Sequence, residues 1–77
     1  MNKNRRKRLE KIVESLSSIM DELELIGEEE QDVYNNMPEN LQYSIKGEMI
    51  EENANDIIEA KDDLSDIIDI LQNVIEK

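Results

Sequence analysis

Catalytic side chains are scarce in this sequence. It has no histidine and no cysteine, which removes imidazole general bases, thiolate nucleophiles and imidazole and thiolate metal ligands together. Its serines, Ser15, Ser17, Ser18, Ser44 and Ser65, have no base partner of the usual kind. Carboxylates are abundant, with 20 Asp and Glu among 77 residues, but nothing singles out one pair for acid/base work. The expectation is a protein that is not an enzyme, with no catalytic residues. A bundle di-metal site would need Glu-x-x-His, and the cluster Asp62, Asp63, Asp66 and Asp69 lacks the spacing of a calcium loop. No metal and no cofactor are expected. With Glu59, these aspartates read as a solvated acidic face and as the candidate surface for a basic partner.

The second chemical feature is Arg5-Arg6-Lys7-Arg8. Such a cluster can contact phosphates with salt-sensitive, sequence-blind affinity. The competing expectation is intramolecular, with these cations pairing with Asp66, Asp69 and Glu76 of a returning helix. Cations at a helix N-terminus oppose that helix's own dipole by about 0.3–1 kcal/mol each. Local helix stability therefore does not explain them.

Charge is divided unevenly along the chain. Residues 1–11 carry six cations and one acid, a net of +5, and residues 12–77 carry three lysines and 19 acids, a net of −16. So acidic a body disfavours nucleic acid and anionic membrane and suits a basic partner. No apolar run approaches the ~18 residues of a membrane span. The basic start leads into acidic amphipathic sequence rather than the apolar core of a secretory signal. Together with the missing cysteines, this gives a cytoplasmic expectation.

These groups must be held by two long helical segments. In the first, heptad position a is Leu9, Leu16, Leu23, Glu30 and Met37, and d is Ile12, Ile19, Ile26 and Val33. Position e adds Val13, Met20, Gly27 and Tyr34. The second has a at Ile50, Ile57, Leu64 and Leu71, d at Asn53, Ala60, Ile67 and Val74, and e at Ala54, Lys61, Ile68 and Ile75. Both show the wide a/d/e stripe of a bundle helix. Gly27 costs about 1 kcal/mol in a helix interior, yet the phase is unchanged across it, which favours a continuous helix. Pro38 ends the first helix by Asn36, Pro38–Gln42 can form one turn, and Ser44 is the expected N-cap of the second. Met37, Leu41 and Tyr43 are expected to cap the open end of the core.

The prediction is one all-α domain over residues 1–77. It is an antiparallel hairpin with a helix over about 4–36, a loop over about 37–43 and a helix over about 44–76. Two helices cannot cover stripes this wide, so two hairpins are expected to form a homodimeric four-helix bundle. Its core would use Leu9, Ile12, Leu16, Ile19, Leu23, Ile26 and Val33 with Ile57, Leu64, Ile67, Ile68, Leu71 and Val74.

The run Tyr34-Asn35-Asn36-Met37-Pro38-Glu39-Asn40-Leu41-Gln42, followed by Ser44, Gly47 and Glu48, resembles a group of small acidic helical-hairpin proteins. These occur in phages and prophages of Gram-positive bacteria. The group has no established activity, so the resemblance implies context alone: a phage-derived accessory protein. The leading expectation is a non-enzymatic interaction protein. It would bind and inhibit a host protein, such as a defence or nucleic-acid-binding factor, through its acidic faces or the loop end. The acidic surface itself has two readings, solubility and, more sharply, a rod of carboxylates that mimics nucleic acid in a basic groove. The alternative is an oligomeric module that binds nucleotide or nucleic acid through Arg5, Arg6, Lys7 and Arg8. A third is a small structural part of an assembly.

Overall fold

Local signals fix where each helix starts and stops. The computed structural model describes all of residues 1–77, in three helices: α1 Lys3–Asn35, α2 Glu39–Gln42 and α3 Ile45–Glu76. The Asn2 side chain caps α1 by accepting from the Arg5 amide at 2.8 Å. At the far end, Asn36 closes α1 by donating its amide to the Asp32 carbonyl at 3.0 Å. Pro38 opens α2, its carbonyl accepting from the Leu41 and Gln42 amides at 2.8 and 3.1 Å. Ser44 caps α3, its hydroxyl accepting from the Gly47 amide at 3.1 Å. Asn2 and Ser44 thus satisfy amide donors, and Asn36 a carbonyl acceptor, that helix ends leave unpaired.

α1 and α3 pack side by side and antiparallel into a rod of 58 × 15 × 13 Å. Of 65 backbone hydrogen bonds, 58 lie within helices, so side-chain packing holds the two arms together. The buried residues are Val13, Gly27, Gly47, Ala54 and Ile68. All five fall at position e of their heptads, so the seam is centred on e. Position a lies half-buried on one flank, with Leu9, Leu16 and Leu23 facing the side of Ile57, Leu64 and Leu71. α1 runs unbroken through Gly27, where Ile57 and Ile58 pack directly over the backbone.

Two expectations at the loop end need correction. Tyr43 does not cap the core, being 73 % exposed, and Leu41 is also exposed. The reason is the tight α2 turn, which points Gln42 inward instead. Its amide donates to the Tyr34 carbonyl at 3.0 Å, leaving Met37 and Tyr34 half-buried. Gly47 shapes the same end of the fold. A methyl group there would overlap the backbone carbonyls of Leu41 and Gln42, so glycine permits α2 to fold down on the first turn of α3.

The two seam glycines should therefore respond differently to alanine. Gly47→Ala meets rigid backbone and is expected to destabilise by about 1–3 kcal/mol or more. Gly27→Ala meets the flexible Ile58 side chain at 2.9 Å, and its gain of about 1 kcal/mol in helix propensity offsets the crowding. Urea denaturation followed by circular dichroism would show Gly47→Ala clearly weakened and Gly27→Ala near the parent.

Candidate interaction surface

The seam leaves one part of each apolar stripe unused. Residues d and e are consecutive, so d points about 100° away from the seam. Ile12, Ile19, Ile26 and Val33 are accordingly 41–51 % exposed, and Ile67 is 48 % exposed. Reversing a helix end for end and turning it to face its partner each invert the sense of this offset. An antiparallel pair in the same phase therefore brings both d stripes out on one side. Of the expected bundle core, the hairpin itself covers Leu9, Leu16, Leu23, Ile57, Leu64, Ile68, Leu71 and Val74 wholly or in part. It leaves Ile12, Ile19, Ile26, Val33 and Ile67 on the open side.

The opposite side, made of positions b and f, is acidic. α1 contributes Glu10, Glu14, Asp21, Glu24 and Glu28, and α3 contributes Glu51, Asp62, Asp69 and Glu76. The acidic candidates chosen from sequence, Glu59, Asp62, Asp63, Asp66 and Asp69, are all exposed. They do not converge on one patch: Asp62 and Asp69 share the acidic side, while Glu59, Asp63 and Asp66 turn to the outer flank of α3. The carboxylates of α1 were missed as their neighbours. Their signal was present, since 14, 21 and 28 repeat at seven residues in the f phase shared by 62 and 69. No group of three or more Asp or Glu comes together in a way that could hold a metal ion.

Lys61 is the one cation near the middle of this surface. Its ammonium lies 3.1 Å from the Asp62 carboxylate, with the side chain 22 % exposed. That hydrogen-bonded partner, with Glu24 and Glu28 across the seam, holds Lys61 above its ordinary value of 10.5. At the loop end, partial burial and the neighbouring Glu51 carboxylate raise the Tyr34 phenol above 10.0, with Tyr43 and Glu48 adding to the effect.

The basic arm behaves differently from the expected pairing with Asp66, Asp69 and Glu76. The only salt bridge in the structure is Lys61–Asp62. Arg6 instead donates Nε to the Ile75 carbonyl at 3.1 Å, in the last turn of α3. Antiparallel packing supplies the reason. The start of α1 lies beside the end of α3, whose unpaired carbonyls and negative dipole end favour a cation. Arg5, Lys7 and Arg8 stay exposed.

No helix is long and apolar enough to cross a membrane. Family models, characterised proteins and solved structures were each compared with the chain, and none matches.

Arg6→Ala is expected to fray the end of α3 and cost about 0.5–1.5 kcal/mol. Faster amide exchange confined to the last turn of α3 would be the readout. Raised values for Tyr34 and Lys61 mean that the fold favours the protonated form of each. Their contribution is complete below their unfolded values near pH 10 and disappears as pH rises through the folded ones. Urea midpoints should therefore fall above pH 10, and Tyr34→Phe should lessen that fall.

Proposed function

We propose that this chain is a non-enzymatic interaction protein that dimerises through its apolar side and presents its acidic sides to a basic partner. The supporting observation is the division of the rod into two sides. One carries the d isoleucines, and the other carries carboxylates from both helices with Lys61 alone among them. Surface area supports the dimer. The chain exposes 5818 Å², against about 4900 Å² for a compact monomer of its mass. The excess follows in part from the elongated 58 × 15 × 13 Å shape, and pairing two rods along their apolar sides would cover part of it.

In the resulting four-helix bundle the apolar sides form the core, and the two acidic sides face outward along a rod of 58 Å. A rod of regularly spaced carboxylates suits a basic groove, including one that ordinarily holds nucleic acid. On the phage-derived reading, that groove belongs to a host protein which the bundle occupies and inhibits. A second reading keeps a claim because Arg5, Lys7 and Arg8 stay exposed. Here the arm binds a nucleotide or short nucleic acid through phosphate.

Sedimentation at micromolar concentration is expected to give a dimer, and a folded monomer would remove the bundle. For the partner, affinity capture from bacterial lysate is expected to return one stoichiometric protein that is lost when Glu14, Asp21, Asp62 and Asp69 are changed to lysine. Retention by that variant would eliminate the acidic side. Should a phosphate ligand instead raise the melting temperature, and Arg5→Ala with Arg8→Ala abolish the rise, the second reading would replace the first.

A further inference from the structure

The d stripe of α1 is flanked by two grooves of the same layout and opposite charge. The first is lined by Met1, Arg5, Arg8, Leu9 and Ile12, and the second by Ile26, Glu29, Glu30 and Val33. Arg5, Arg8, Leu9 and Ile12 occupy heptad positions d, g, a and d. Three heptads later, Ile26, Glu29, Glu30 and Val33 occupy the same four positions. Each groove pairs apolar side chains with charged ones, arginine in one and glutamate in the other.

We propose that two copies pack head to tail through these grooves, with the two-fold axis passing at Ile19. This rests on the dimer reading above and adds its topology and its contacts. Ile19 lies midway between the grooves, so an antiparallel pairing of α1 with its copy sets Ile19 on Ile19 and Ile12 on Ile26. The same pairing brings Arg8 of each copy to Glu29 of the other, twice by symmetry. The second helix agrees with the same axis. Arg6 bonds to Ile75 and Gly27 lies under Ile57 and Ile58, so the level of Ile19 on α1 corresponds to about Leu64 on α3. An axis at that level sets Ala60 opposite Ile67 and Asn53 opposite Val74, small or polar against bulky.

Net charge favours the same choice. Residues 1–11 carry +5, whereas residues 28–52, around the loop, hold eight acids and one lysine, a net of −7. Head-to-tail packing joins these unlike ends at both ends of the bundle. The other two-fold arrangement, with both loops at one end, would set α1 on α3 and join like with like. It would also leave Arg8 and Glu29 on separate ends. Head-to-tail packing further gives the arm a role in assembly: Arg6 closes its own α3, and Arg5 and Arg8 face the partner's glutamates.

The chain has no cysteine, so a spin label placed at Asn40→Cys on the exposed loop reports topology without a competing site. In the dimer the label-to-label distance is expected to approach the 58 Å length of the rod. A distance under roughly 25 Å, as for neighbouring or diagonal helices at one end of a bundle, would overturn the proposal while leaving the dimer intact. Sedimentation of the same labelled protein as a monomer would instead remove the dimer itself. A charge exchange tests the contacts. Arg8→Glu is expected to weaken dimerisation roughly tenfold, and adding Glu29→Lys to restore it. Failure of the double variant to recover, with both single variants folded by circular dichroism, would overturn the pairing.

Discussion

The structure depends on the width of an apolar arc measured against what one neighbouring helix can cover. Positions a, d and e together span roughly 100° of each helix, and the hairpin seam centres on e at one edge of that arc. Val13, Gly27, Ala54 and Ile68 sit at its centre, and a lies half-covered at its flank. Position d is then left facing solvent at five isoleucine and valine side chains. Because the helices are antiparallel and in phase, these exposed residues gather on one side of the rod instead of being scattered around it. A single covering surface can therefore satisfy both stripes.

Small residues make the seam close enough for this division to hold. Gly27 lets Ile57 and Ile58 lie on the backbone of α1, and Ala54 is completely buried. Gly47 does the equivalent at the loop, letting the carbonyls of α2 sit on the first turn of α3. With Pro38 ending one helix and Ser44 starting the next, the loop fixes which residues of the two arms meet. The level at which Arg6 reaches Ile75 is set 30 residues away from the turn that decides it.

Electrostatics acts at two ranges. At close range, antiparallel packing turns an unfavourable placement into a useful one: Arg6 at the start of α1 serves the carbonyl end of α3. At longer range, a basic end and an acidic loop end give the rod a charge asymmetry along its axis, and the acidic b and f positions give it a second asymmetry across its axis. Screening over about 8 Å at physiological salt confines the benefit to groups in near contact. In the proposed head-to-tail dimer, contact between Arg8 and the partner copy's Glu29 would therefore carry more weight than the net charge of either end.

Much of this was legible in the residues themselves. Heptad spacing gave both helices, Pro38 and Ser44 gave their ends within a residue or two, and the short loop over about 37–43 between them gave the antiparallel hairpin. These are local properties, set by periodicity and by the backbone limits of single residues. Sequence alone left a, d and e equivalent, because each is apolar and each lies within the same arc. Choosing e as the seam required knowing that glycine and alanine at 27, 47 and 54 admit the closest approach, and that choice left d outside. The fates of Tyr43 and Arg6 were decided in the same way. Tyr43 turns outward because the α2 turn presents Gln42 to the core, and Arg6 finds a carbonyl because a helix end from 69 residues away lies beside it. Periodicity identifies which residues want to be covered, and only the packed arrangement decides which of them are.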